Sequence, residues 1–284
     1  MSDNLVNEKQ AEYWNGTAGS KWVERQESLD AQIGPLGLVM LDRAEIEEGE
    51  RVLDTGCGCG GTTLDIAKRV GPGGRVTGLD LSGPMLKRAH ERVREARLEN
   101  VEFIQGDAQI HDLGPLECDL LTSRFGIMFF ADPTAAFANL RRALKLSGRL
   151  AFVCWRPLEE NPWSALPTAA AAQFIEMPPP AGPEDPGPYS FADPDRVRRI
   201  LGDAGFSSIA IEAEDQISLP EEGGLDGAVV SRFEIGPLSR LLVDATTEQK
   251  EQVRNAVREA MAPYYTEGGP DMNWAVWIVT ARAS

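Results

Sequence analysis

The chain has 284 residues, with 28 Lys and Arg against 44 Asp and Glu and a formal net charge of −16. That length holds one large α/β domain with insertions or two smaller ones, and a hydrophobic content of 42% is enough for a sizeable core. The acidic balance argues against a nucleic-acid surface, which needs basic patches, and against adhesion to anionic membranes.

MSDNLVNEKQ at the start has neither a basic stretch nor an apolar one, so no secretory signal is read there. No apolar run reaches the roughly 18 residues of a membrane span. A cytoplasmic protein is therefore expected, with Cys57, Cys59, Cys118 and Cys154 as free thiols. Cys57-x-Cys59 lacks a second ligand pair at zinc spacing and there are two histidines, so no metal site is expected.

In chain order, residues 1–50 read as an arm with helical stretches at Glu8–Trp14, Ser20–Arg25 and Ile33–Ala44. Tyr13, Trp14 and Trp22 on this arm pack against the main domain or form a lid. From Arg51 the pattern alternates strand and helix, which implies βαβ units and a parallel sheet. Strands are expected at Arg51–Thr55, Arg75–Asp80, Val101–Gln105, Cys118–Ser123 and Gly148–Trp155. Thr62 is the expected N-cap of the first core helix. Ser82 caps the second, with Pro84 in its first turn. Asp132-Pro133 opens a helix through Lys145, and Met85, Ala89 and Val93 fall on one helix face. His90 is expected on the charged face of its helix.

Regularity then lapses over 156–192, where a helical run at Trp163–Phe174 precedes the proline-rich MPPPAGPEDPGPYS. A helix at Asp193–Ala204 and a strand at Ser207–Ala213 follow. Residues 217–270 hold helical stretches near Asp226–Asp244 and Thr247–Tyr264, and Asn273–Ala281 closes the chain as a strand. The expected organisation is a helical lid at 1–50, a core at 51–216 with an insertion at 156–192, a helical cap at 217–270 and a final core strand at 271–284.

The chemistry concentrates on RVLDTGCGCGGTT, residues 51–63, with four glycines among residues 56–61. Bare backbone at a strand-to-helix turn lets a cofactor approach closely. Gly56, Gly58 and Gly61 satisfy the dinucleotide spacing and Asp80 ends the second strand, which taken alone suggests NAD. Three features pull away from it. Asp54 stands two residues before the first glycine, Asp107 follows the third strand in Gly106-Asp107-Ala108, and a long helical arm precedes the first strand.

With LDTGCGCG, GLDLS, GDAQ, DLLTSRFGIMFFADP and LKLSGRLAFVCW in view, the chain resembles the class I S-adenosylmethionine-dependent methyltransferases. It looks most like bacterial small-molecule members of the ubiquinone/menaquinone C-methyltransferase-like type. The resemblance covers roughly 10–215 and the last strand. It implies a doubly wound, seven-stranded Rossmann-like α/β sheet ordered 3-2-1-4-5-7-6 with the last strand antiparallel. The arm and insertions would form a lid. It further implies S-adenosylmethionine as cofactor, S-adenosylhomocysteine as product, and a small-molecule methyl acceptor as partner. No nucleic acid and no membrane span are expected, and the oligomeric state stays open.

On that resemblance Asp80 accepts the ribose hydroxyls, its acceptor-only carboxylate matching two O–H donors. Gly106, Asp107 and Ala108 hold adenine, which Leu81 and Met85 flank. Gly56, Cys57 and Gly58 line the methionine portion, and Asp54 anchors the turn or the ligand ammonium. Ser123 and Arg124 touch the methionine moiety, with a plain ion pair as the other reading of Arg124. Trp14 and Trp22 cover the cofactor, and Phe125, Met128, Phe129 and Trp155 wall the acceptor pocket or simply cover the sheet edge. The transfer is an in-line SN2 displacement onto O, C or N, which asks for alignment and exclusion of water. His111 is the candidate base, and transfer by proximity alone is the alternative. Two other function classes are weighed: a non-catalytic cofactor-binding assembly factor, and a protein or RNA methyltransferase. The charge opposes RNA, and Ser123-Arg124-Phe125-Gly126 stands where an Asn-Pro-Pro-Tyr-like motif would.

Overall fold

The computed structural model describes residues 6–114, 116–179, 182, 184–267 and 269–284. In chain order the elements are α1 (Glu8–Asn15), α2 (Thr17–Glu24), α3 (Gln26–Arg43), β1 (Arg51–Thr55), α4 (Gly61–Val70), β2 (Arg75–Asp80), α5 (Gly83–Glu95), β3 (Val101–Gln105), β4 (Cys118–Arg124), α6 (Pro133–Arg141) and β5 (Leu144–Trp155). There follow α7 (Pro162–Ala171), α8 (Pro194–Asp203), β6 (Phe206–Ile217), α9 (Gly224–Glu234), α10 (Pro237–Leu241), α11 (Thr247–Met261), β7 (Tyr265–Thr266), β8 (Gly269–Pro270) and β9 (Asn273–Ala283).

Seven strands form one sheet in the order β3-β2-β1-β4-β5-β9-β6. The pairs β1–β2, β1–β4, β2–β3 and β4–β5 are parallel, and β9, seventh of the sheet strands in the chain, is antiparallel. A parallel sheet is covered on both faces, which is why its central strands are buried along most of their length rather than at alternate residues. Leu53, Leu79, Leu120, Leu121 and Phe152 are fully buried there, with Ile66 of α4 packed in the same core.

The chain divides into two compact units. One comprises 1–155, 186–213 and 277–284, and so contains the arm helices together with most of the sheet. The other comprises 156–185 and 214–276 and contains α7 and α9–α11. Within that second unit Arg232 pairs with Glu221 at 3.1 Å and lies over the Trp163 ring at 5.4 Å, while Trp163 packs on Trp274 with centroids 5.0 Å apart.

Several local expectations are corrected. Helix α4 is capped by Gly60, in the left-handed region at φ 78°, and not by Thr62, which is buried inside the helix. The glycine turn has already rotated the chain into the helix, so no side-chain cap is used. Ser82 does cap α5, accepting from the Met85 N–H at 3.4 Å. Helix α6 stops at Arg141 and β5 starts at Leu144, four residues earlier than its sequence pattern indicates. The stretch read as one helix over 226–244 is broken at Gly236-Pro237, since proline lacks the N–H that would continue it. His90 is exposed but rests edge-on against Phe103, centroids 4.9 Å apart. Of the proline-rich loop, Pro180, Ala181 and Pro183 lie outside the described residues.

Candidate active site

The turn after β1 is laced to the end of β2. Gly56 N–H and Cys57 N–H both donate to the Leu79 carbonyl, at 2.7 and 3.2 Å. Gly56 sits at φ 65°, and a Cβ there would lie 2.7 Å from the Gly126 Cα. The chain leaving β1 thus crosses the chain leaving β4 with no room for a side chain on either. Ser123 Oγ reinforces the crossing by donating to the Thr55 carbonyl at 2.7 Å.

Asp80 stands at the rim of this turn. Its Oδ2 accepts the Gly58 N–H at 2.7 Å and its Oδ1 the Ser82 N–H at 2.8 Å. Burial pushes its carboxyl above the ordinary range, while the backbone N–H donors of Ser82, Gly58 and Leu81 pull the other way. With three donors on a carboxylate that offers about four lone-pair positions, acceptor capacity remains. Asp54, beneath the turn, is 1% exposed and accepts from Thr63 Oγ1 at 2.6 Å and Thr122 Oγ1 at 3.3 Å. Burial raises its pKa to about 6 against the pull of the Thr63 hydrogen bond. Of its two expected roles, the geometry displays the first: it ties the turn to α4 and β4. Cys57 is buried with its thiol pushed well up by burial, and Met85 is buried beneath the turn, its Cε within 2.8 Å of where a Gly58 Cβ would lie.

Asp107, closing β3, is 2% exposed and fully hydrogen-bonded by protein groups. Asn7 Nδ2 donates to Oδ1 at 2.9 Å and Oδ2 at 3.0 Å, Asn7 N–H to Oδ2 at 3.2 Å, and Gln109 N–H to Oδ1 at 2.9 Å. Gly106 N–H donates to the Asp80 carbonyl at 3.0 Å, and the Ala108 carbonyl accepts from Asn139 Nδ2 at 3.0 Å. His111 lies against Gly106, leaving no space for a Cβ there, and its carbonyl accepts from Asn139 at 2.9 Å. The Leu81 carbonyl accepts from Asn15 at 3.0 Å.

At the end of β4, Arg124 meets Asp30 of α3 at 2.9 Å, and Asp30 also holds Arg92 at 2.9 Å. Burial alone would raise the Asp30 pKa, but Arg124 and Arg92 outweigh it and hold the carboxyl below its usual range. The ion-pair reading of Arg124 is thus the arrangement seen, in a half-buried network that includes Arg92 donating to the Cys59 carbonyl at 2.8 Å. Phe125 is buried at φ 60° and stacked on Trp155, centroids 4.3 Å apart and planes 14° from parallel. A bulky residue in the left-handed region costs about 1–2 kcal/mol, and such strain gathers at functional sites. The Met128 carbonyl accepts from Gly187 N–H and Ser190 Oγ, which holds that wall to the 186–213 segment. Trp14 packs edge-on to Trp22 and to Phe129, with centroids 5.7 and 5.8 Å away.

Asn7, Asn15, Asp30, Gln109 and Gly126 all bear on this site, and sequence reading passed over each as a candidate. Gly126 has a local signal, a glycine two residues past the end of β4. Asn7 had a faint one, an asparagine just before a helix, which suggests a cap; its side chain makes no cap bond and goes to Asp107 instead. Asp30 carries no local signal of its ion pairs, because Arg92 and Arg124 lie 62 and 94 residues away.

The residues present fit S-adenosylmethionine better than a dinucleotide. Acceptors, not cations, end β1, β2 and β3, and the two arginines reaching the turn are already held by Asp30. Among the described residues no helix is long and apolar enough to cross a membrane. Residues 52–148 match the family described as "Methyltransferase domain". The chain is similar to a demethylmenaquinone methyltransferase of Listeria welshimeri, 38% identical over 108 residues, covering 38% of this chain and 46% of that one. It is also similar to the aklanonic acid methyltransferase DauC of Streptomyces sp. (strain C5), 33% identical over 118 residues, covering 42% and 54%. The chain thus spans about half the length of the curated relatives it matches. Among solved structures, the YcgJ protein of Bacillus subtilis shares the fold at a TM-score of 0.55 and 20% identity, covering 87% of this chain and 97% of that one. Residues 52–148 thus match a methyltransferase domain, and they carry with that match the strand order and the acids at the ends of β1, β2 and β3.

Proposed function

We propose that the chain transfers a methyl group from S-adenosylmethionine to an O, C or N atom of a small, partly hydrophobic molecule. The observation that carries this reading is Asp80, a carboxylate fixed by backbone N–H groups at the rim of a bare-backbone turn with acceptor capacity left for a ribose hydroxyl. S-adenosylmethionine, when bound, supplies a methyl group already activated on its sulfonium. The chain's task is to orient the reactants and keep water out. Asp80 would hold the ribose, the Gly56–Gly58 backbone the methionine portion, and Leu81 and Met85 the adenine faces. The stacked Phe125–Trp155 pair and the Trp14–Trp22–Phe129 cluster offer apolar walls for an acceptor and aromatic faces for a cation. The acceptors named in two relatives, demethylmenaquinone and aklanonic acid, guide the first panel to try.

The test is calorimetric titration with S-adenosylmethionine, S-adenosylhomocysteine and NAD. Binding of the first two and not the third is expected, and Asp80→Ala should weaken it by at least about tenfold with the fold intact. Tight NAD binding with no S-adenosylmethionine binding would overturn the reading. Cofactor binding with no methylation across a broad acceptor panel would favour the assembly-factor alternative.

A further inference from the structure

Asp107 is ringed by protein donors: the Asn7 Nδ2 amide lies within hydrogen-bond distance of both carboxylate oxygens, the Gln109 N–H bonds Oδ1 and the Asn7 N–H bonds Oδ2. An amine arriving at Asp107 meets the Asn7 amide and N–H already on both oxygens. Asn7 is itself 4% exposed, and its Oδ1 accepts the Ala131 N–H at 2.7 Å. Its Nδ2 also reaches Gln109 Oε1 at 3.2 Å. One side chain therefore clasps the loops that follow β3 and β4.

The opposite end of α1 is pinned as well. Asn15 Nδ2 donates to the Leu81 carbonyl at 3.0 Å, Asn15 Oδ1 accepts the Gly83 N–H at 2.9 Å, and the Trp14 carbonyl accepts Ser82 Oγ at 2.7 Å. Eight helical residues span about 12 Å, so α1 runs as a strap from the end of β3 to the end of β2, between Asp107 and Asp80. Three of the four hydrogen bonds on Asp107 come from a single residue at the end of this strap.

We propose that Asn7 is a built-in competitor for Asp107, a latch whose withdrawal admits the adenine amine. This rests on the S-adenosylmethionine reading above. The affinity measured for the cofactor is then the intrinsic affinity reduced by the fraction of molecules whose latch is open. The amide of Asn7 and the amine of adenine are like donors for one acceptor, and exchange between them leaves no buried carboxylate unpaired.

The full-length chain, Asn7→Ala and Asn7→Asp are titrated with S-adenosylhomocysteine, with association followed by tryptophan fluorescence. Both variants should bind about tenfold more tightly, mostly through faster association, because the closed fraction is removed. Affinity that is unchanged or weaker in both overturns the latch, the weaker case making Asn7 part of the binding surface. Wild-type hydrogen exchange is a check that depends on no variant folding: the amides of Asn7 and Ala11, held by Asp107 and by the Asn7 carbonyl, should lose protection on saturation while the Trp14 end of α1 keeps its own, and retained or increased protection at Asn7 and Ala11 overturns the proposal. If neither wild type nor variant binds S-adenosylhomocysteine, the cofactor reading falls and the latch with it, a pattern distinct from latch failure alone.

Discussion

Asp54 is a carboxylate where burial disfavours its charge, titrating near 6 beneath the glycine turn against an ordinary value of 3.8. Because the folded value is the higher one, the folded chain holds an extra proton between the two. The stabilising contribution is full below about pH 4 and lost as pH rises through about 6. Asp54→Asn, which keeps an acceptor for Thr63, should melt higher than the parent at about pH 8, with the difference vanishing toward about pH 4. Thermal melts across that range decide it, and a pH-independent difference would remove the titration argument. Gly56 makes the opposite case, a residue with no side chain and no substitute. Gly56→Ala combines a left-handed φ with the Gly126 contact and should cost about 2 kcal/mol or more, measured by denaturant unfolding. Both residues stood out in the sequence, since an acid two places before a glycine run is a local pattern. The shift at Asp54 is not legible there, because it comes first from burial, which segments distant in the chain supply, among them β4 with Thr122 68 residues away.

At the scale of elements, the arm shows what periodicity misses. Helices α1, α2 and α3 were foreseen as helical stretches, but α3 begins at Gln26 rather than Ile33 and carries Pro35 inside it. Their docking depends on single atoms. A Cβ at Gly19 of α2 would collide with the Trp14 carbonyl oxygen and come within 3.1 Å of Ser82 Oγ, at the point where α1 ends and the arm meets the α5 cap. Gly19→Ala should loosen the arm while sparing the sheet: hydrogen exchange rising across residues 8–24 and unchanged in β1, β2 and β4 is the expected result. Ser82→Ala removes both the cap and the Trp14 bond and should cost about 1–2 kcal/mol in denaturant unfolding. Helix α6 and strand β5 illustrate a different limit. The sequence pattern carries the helix through Lys145 and starts the strand at Gly148, whereas pairing of Leu144 with Cys118 across an irregular register draws Leu144–Ser147 into the sheet. Such pairing energy lies between strands and leaves no trace in a local window.

Across the whole molecule, the five alternating strand and helix units were legible because each parallel strand is an apolar run bounded by turn residues. The place of β9 was not, since its insertion between β5 and β6 came from the family resemblance and has no counterpart in hydrophobic period. All four cysteines are free and buried, and burial raises Cys59 to about 12 and Cys118 to about 11. A thiol reagent should therefore leave the native chain unmodified at neutral pH and titrate all four groups only in denaturant. Fast modification of any one would show that its surroundings open in the native state.

The crossing of Gly56 and Gly126 has a bearing on how acceptor range can change. The glycine turn and the Phe125–Phe129 stretch are joined backbone to backbone, and in the proposed function these are the donor seat and one wall of the acceptor site. Side-chain substitution at the joint cannot widen the gap between methyl and acceptor; it can only break the joint. In the proposed function, variation in acceptor size must fall to surfaces outside it, chiefly the Trp14 and Trp22 faces of the arm. Substitutions that retune specificity should accordingly cluster in residues 8–24, in a part of the chain that holds none of the glycine-turn chemistry.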